Sequence, residues 1–120
     1  MIVTTLTALV LQAQPADMAG QWEVALYFSA DAPPSQTTMV LEPQSDGGLT
    51  GSFYGSTFEV GRVAQRGETL AFTAVTSDGS GQYLHSGRLN SSGVIDGQTL
   101  SVGRDFLMLW TAARAEGDAQ

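Results

Sequence analysis

From Asp17 onward, apolar and polar side chains alternate with a period of two. Trp22, Val24, Leu26 and Phe28 fall on one face of an extended chain, and Gln21, Glu23, Ala25 and Tyr27 fall on the other. That is the signature of a half-buried strand. Comparable runs rich in Val, Thr, Phe, Tyr and Leu follow at about 36–43, 48–54, 57–65, 68–76, 81–89, 93–101 and 106–114. Counting the first, these eight runs recur every 8–12 residues or so, the spacing of an all-β sandwich or barrel. After Asp17, no stretch long enough for a globular helix keeps a helical period without a Gly or Pro in it. The linkers carry strong turn chemistry: Ser45-Asp46-Gly47-Gly48, Gln65-Arg66-Gly67-Glu68, Ser77-Asp78-Gly79-Ser80 and Asn90-Ser91-Ser92-Gly93.

Connections this short cannot hold crossovers, so neighbouring runs should pair antiparallel as a meander. An even number of strands lets the eighth close against the first and removes both exposed edges. The expected fold is an eight-stranded antiparallel up-and-down β-barrel over residues 17–114, with a flattened barrel or β-sandwich as the alternative. A barrel of that size is either filled by its own side chains or holds one small ligand. A loose internal echo, Leu49-Thr50-Gly51 to Gly61-Arg62 and Ile95-Asp96-Gly97 to Gly103-Arg104, fits a regular β architecture.

Gly20-Gln21-Trp22 at the start of the first run resembles the G-x-W signature of lipocalin-like barrels, the calycins, a group that includes avidins. In that superfamily an arginine at the end of the last strand packs across the tryptophan. The resemblance implies this structural role for Trp22 and Arg114, since Arg114 ends the eighth run. It covers roughly residues 20–114. The disulfides of secreted lipocalins are absent, and no biotin-site residues occur in avidin order. The resemblance therefore speaks to fold and leaves the ligand open.

The first sixteen residues, MIVTTLTALVLQAQPA, hold an apolar stretch from Ile2 to Leu11 followed by small and polar residues. It is too short to span a bilayer in a helix, which takes about 20 residues. Its length suits a secretory signal with a break near Ala13 or Ala16, although no Lys or Arg precedes it. An N-terminal strand or short helix packed on the domain is the alternative. Residues 1–16 are thus read as a signal peptide or extension, and the protein as periplasmic or secreted. Residues 115–120 are read as a flexible acidic tail.

Composition narrows the function classes. The 120 residues make one domain, and 42% hydrophobic residues provide for a real core. Five arginines and no lysine stand against 12 acids, a net charge of −7. Such a surface repels phosphate backbones, so no nucleic-acid partner is expected. The absence of Cys excludes disulfides, thiol nucleophiles and zinc–cysteine sites. His85, the one histidine, has no sequence-adjacent acid and is expected to be a surface residue in a strand. Asp46 and Asp78 sit in glycine-rich turns and Asp96 beside Gly97, which suits turn or bulge geometry better than calcium. Asn90-Ser91-Ser92 matches a glycosylation sequon and also an ordinary hairpin turn. No catalytic residue, metal site or cofactor is expected.

The aromatics are more informative. In a meander, the connections near 29–35, 54–56, 77–80 and 103–105 gather at one end, together with seven of the ten aromatic residues. Phe28, Phe53, Tyr54, Tyr83 and Phe106 are the candidate ligand-binding residues of an apolar barrel mouth. Phe106 to Trp110 is apolar on both faces, so Leu107 and Leu109 are candidate interface residues for a homodimer, unless residues 1–16 cover them or the strand is central in a flattened barrel or sandwich. The leading expectation is a non-enzymatic exported barrel that binds a small apolar or aromatic molecule. One alternative is an interaction module like the small periplasmic metalloprotease inhibitors, which also carry G-Q-W and use a preceding extended segment, here Gln14 to Ala19. Another is a cavity enzyme of barrel-cyclase type. A hollow interior favours the carrier or the enzyme, and a solid core the inhibitor.

Overall fold

The period-two alternation becomes nine strands in the computed structural model, which describes residues 13–115. The expectations for residues 1–12 and 116–120 lie outside the described residues. A 3-10 helix, Pro15–Met18, leads into β1 (Gly20–Tyr27), β2 (Ser35–Pro43), β3 (Leu49–Phe53), β4 (Ser56–Thr57) and β5 (Val60–Arg66). Then come β6 (Thr69–Asp78), β7 (Gly81–Leu89), β8 (Ile95–Ser101) and β9 (Phe106–Arg114). They form one antiparallel up-and-down sheet in the order β4-β3-β2-β1-β9-β8-β7-β6-β5. The first and last strands pair as expected, from Trp22 opposite Arg114 to Tyr27 opposite Leu109.

One of the eight expected runs is divided, and the sheet is not closed by a continuous ladder. The division falls at Phe58 and Glu59, where the chain changes partners. The Phe58 N–H donates to the Gly51 carbonyl of β3 at 2.9 Å, whereas the Glu59 N–H donates to the Val75 carbonyl of β6 at 2.7 Å. Before that point the run pairs with β3, and after it with β6. β3 and β5 then approach without a ladder, joined by the bridge of Gly48 with Arg62. A Cβ on Gly61 would lie 2.5 Å from the Leu49 carbonyl oxygen, so glycine is what lets the seam come together. The architecture is the flattened-barrel alternative.

Inward positions fill with large apolar side chains, among them Trp22, Leu26, Met39, Leu41, Leu70 and Trp110, each no more than 1% exposed. Burying each such side chain contributes about 1.5–3 kcal/mol. At one end the 3-10 helix forms a plug. Met18 is fully buried, and the Trp22 indole N–H donates to its carbonyl at 2.9 Å. The Arg114 guanidinium lies 4.4 Å from the Trp22 ring centre and donates to the Asp17 and Ala19 carbonyls.

On the outer face the registers align a row of apolar residues. Val60 faces Val75, Val75 faces Leu84, Leu84 faces Leu100, and Leu100 faces Leu107. Leu109 and Tyr27 pair one step along the strands. Leu107 and Leu109 are 56% and 57% exposed, so nothing among the described residues covers them.

Mid-barrel, Gly97 faces Trp110 across β8 and β9. A Cβ at Gly97 would lie 2.2 Å from the indole, well inside contact distance. Gly97→Ala is therefore expected to cost about 1–3 kcal/mol through forced repacking, read as a lower urea midpoint at an unchanged slope.

Candidate functional site

At the end opposite the plug, the barrel is hollow. A cavity of about 220 Å³ opens there, between the ends of β1 and β3 and the beginnings of β7 and β9. The antiparallel meander brings those strand ends together. All five aromatic residues nominated from the sequence line it: Phe28, Phe53, Tyr54, Tyr83 and Phe106. They occupy different depths. Phe53 is 2% exposed and forms part of the floor, while Phe28 and Tyr54, at 55% and 61%, stand at the rim. Tyr83 and Phe106 are half-buried between them. Trp22 and Arg114 lie at the plugged end, away from this cavity.

The rim turns hold the two non-glycine residues that have left-handed backbone among the described residues, Tyr54 at φ 54° and Asp105 at φ 55°. For a bulky residue such as tyrosine this conformation is costly. It turns the Tyr54 ring outward at the tight β3–β4 hairpin. Asp78 and Arg104 add charge at the mouth, and the Arg104 guanidinium donates to Ser80 Oγ at 3.1 Å. Asp78 Oδ1 accepts the Ser80 N–H at 2.7 Å, and Asp46 Oδ1 accepts the Gly48 N–H at 2.8 Å, so both close turns. Asp96 instead sits within β8 and accepts from the Asn90 side chain at 3.1 Å. Asn90 also receives the Ser92 and Val94 N–H groups, which holds its hairpin.

The floor corrects the sequence reading of His85. It is not a surface residue but 2% exposed, pointing inward between β6 and β8. Nε2 lies 2.9 Å from Thr76 Oγ1, and Nδ1 lies 2.8 Å from Thr99 Oγ1. The Trp110 indole N–H donates to the same Thr99 oxygen at 2.9 Å. Phe53 stacks on the imidazole, ring centres 4.2 Å apart and planes 24° apart. Tyr83, two residues away on the same strand face, lies parallel to it within 7°. A signal was present: the parity that turns Tyr83 inward also turns His85 inward. Thr76 and Thr99 carried no such mark, because their roles come only from cross-strand register.

Burial of His85 pushes its pKa from 6.5 down to about 4, so the ring is neutral at physiological pH. Chemically, the floor offers neutral hydrogen-bonding groups beneath an aromatic wall. Among the described residues, no three His, Asp or Glu side chains converge as metal ligands. Two more open surface grooves lie elsewhere, one of about 370 Å³ along β6 to β8 and one of about 730 Å³ at the plugged end beside Asp17, Trp22 and Arg114.

No family matches the chain, and neither a curated protein nor a solved structure shows significant similarity to it.

The depressed His85 pKa makes a pH prediction. Between about 6.5 and 4 the unfolded chain binds a proton that the folded chain refuses, so stability falls as pH falls through that window. The loss amounts to on the order of 3 kcal/mol once pH is below both values. His85→Gln should show a shallower decline than the wild type in denaturant titrations from pH 7 to 4. Parallel curves for the two proteins would remove His85 as the source.

Proposed function

We propose that the protein is an exported, lipocalin-like barrel that binds one small apolar or aromatic molecule at its mouth and has no catalytic role. The observation that carries this reading is the 220 Å³ cavity with aromatic walls and a neutral polar floor. An engineered apolar cavity of about 150 Å³ takes up benzene, so this one suits a single substituted ring. A few convergent polar groups in an apolar concavity are the usual make-up of a small-molecule site. His85 argues against catalysis: a general base works best with a pKa near the working pH, and this ring is neutral and engaged at both nitrogens. The lipocalin-like reading rests on Gly20, Trp22 and the guanidinium of Arg114 stacked on the indole.

The plug also bears on export. Gln14 is the N-cap of the 3-10 helix, its N–H donating to Asp17 Oδ2 at 2.7 Å. Cleavage after Ala16 would cut that helix, whereas cleavage after Ala13 spares it. The reading therefore favours a mature chain that begins at Gln14. The segment Gln14 to Ala19, which the inhibitor alternative would free for a protease cleft, is the piece that Trp22 and Arg114 hold down.

The outer apolar row supports an assembly of two copies. It contains no charged residue, so it is a neutral zone on a strongly acidic chain, and a two-fold axis makes such a row complementary to itself. Exposed apolar surface of this kind marks an association site. Leu107 and Leu109 lie in it, as the homodimer expectation requires.

Native mass spectrometry of protein purified gently from the extracytoplasmic fraction tests binding and export together. The expected spectrum shows an adduct that leaves on activation and a protein mass starting at Gln14. With the adduct identified, Tyr83→Ala and Tyr54→Ala should each weaken its binding several-fold. Unchanged binding in both variants would remove the mouth site, and a full-length mass would remove the export claim.

For assembly, sedimentation equilibrium of the wild type should fit a dimer, and Leu107→Glu should shift it to monomer with an unchanged circular dichroism spectrum. A wild-type monomer at high micromolar concentration would eliminate the two-copy interface.

A further inference from the structure

The floor of the mouth cavity holds one more polar hydrogen than it has contacts to use it. Trp110 Nε1 only donates, and Thr99 Oγ1 receives it. A neutral imidazole brings one N–H, and each of the two threonine hydroxyls brings one O–H. These four hydrogens serve three contacts: Trp110 with Thr99, Thr99 with His85, and His85 with Thr76. Each contact consumes one hydrogen, so one is left over.

Both tautomers give the same count and differ only in where the surplus sits. With the proton on Nε2, the chain runs in one direction, from Trp110 through Thr99 and His85 to Thr76. The Thr76 hydroxyl hydrogen then has no partner. With the proton on Nδ1, Thr99 accepts twice, Thr76 donates to Nε2, and the Thr99 hydroxyl hydrogen is left. Thr76 and Thr99 are 3% and 1% exposed, and both line the cavity. A buried donor without an acceptor costs about 1–3 kcal/mol, so whatever fills the cavity gains by supplying one. A charged acceptor is disfavoured there: the imidazole is neutral, the floor holds no cation, and a carboxylate would be desolvated against a single neutral donor. Arg104 belongs to the rim, at a turn beyond β8.

We propose that the cavity selects an uncharged, single-ring molecule bearing a carbonyl acceptor, an aryl ketone or aldehyde being the simplest form, seated with that oxygen on the free threonine hydroxyl. The inference rests on the mouth-site reading above and adds the ligand's polar group to it. The ring of the ligand lies against Phe53, Tyr83 and Phe106, and the carbonyl points to the floor.

Acetophenone and isopropylbenzene, nearly equal in shape, make the test. Each is titrated into the full chain by calorimetry, and the carbonyl stretch of bound, carbonyl-¹³C-labelled acetophenone is read by infrared difference spectroscopy. Acetophenone is expected to bind at least as tightly as the more hydrophobic isopropylbenzene, with its carbonyl band below the position seen in alkane solvent. One of Thr76→Val and Thr99→Val should return the band towards the alkane position and weaken acetophenone about five- to tenfold. The same variant should leave isopropylbenzene within about twofold. The ¹⁵N shifts of His85 report the tautomer and so which threonine that is: Thr76 for Nε2–H, Thr99 for Nδ1–H. They also report whether each variant keeps its folded floor. If both compounds bind but the band is unshifted, or neither variant moves it, the acceptor inference is overturned while the mouth site stands. If neither compound binds the wild type, the mouth site itself fails.

Discussion

The indole of Trp110 divides the interior of the barrel into two halves of different character. Towards the plug its ring sits over the bare backbone of Gly87 and Gly97, where any Cβ would overlap a neighbouring ring or side chain, and against Phe72 at 6.3 Å. Below it, Ile95, Ala112, Leu70 and Trp22 fill the space. Towards the mouth its N–H donates to Thr99, which meets His85, Phe53 packs against the indole at 5.3 Å, and beyond them the cavity opens. The contact network is an open chain, four groups with one hydrogen each joined by three contacts, so one hydrogen is left over. Removing the glycines or the indole would therefore disturb the solid half and the hollow half together.

The two ends of the barrel rest on different physics. The plug is held by directional contacts: an indole N–H on the Met18 carbonyl, and a guanidinium that stacks on Trp22 while donating to two carbonyls. The groove of about 730 Å³ beside Asp17, Trp22 and Arg114 is an open one, whereas these contacts close the barrel interior beneath it. The mouth keeps its aromatic side chains only partly covered and accepts left-handed backbone at Tyr54 and Asp105. Left-handed backbone and exposed aromatic surface at one end, against directional contacts on a buried tryptophan at the other, distinguish the two ends.

What the sequence made legible follows from where the information lies. Alternation is local, so the strands, their antiparallel order and the gathering of Phe28, Phe53, Tyr54, Tyr83 and Phe106 at one end could all be read from spacing and turn residues. The exchange of partners at Phe58 and Glu59 could not, because nothing in Ser56 to Val60 announces which strand each N–H will meet. His85 was half legible: its parity follows from Tyr83, but its burial depends on Thr76 and Thr99, nine and fourteen residues away. Such contacts depend on register across hairpins, and one residue of slip would turn every one of them outward. The outer row was legible at Leu107 and Leu109 and hidden at Val60, Leu84 and Leu100, whose alignment is likewise a product of register.

Strands β7, β8 and β9 serve both faces by strict alternation. His85, Thr99 and Met108 point into the cavity, while their immediate neighbours Leu84, Leu100 and Leu107 point out into the apolar row. No charged side chain reaches the cavity floor or the apolar row: Asp78 and Arg104 stand at the cavity rim, Asp46 and Glu68 at hairpins, and Glu23, Glu42, Arg62, Arg88 and Asp96 elsewhere along the strands. In a chain with only 14% charged residues, the cavity floor and the outer row are both free of charge. With one strand thickness between cavity and outer row, whatever packs on the leucines bears on the backbone that carries His85 and Thr99. The rigidity of the floor, and so the placement of its free hydroxyl, is set from both sides of the same three strands.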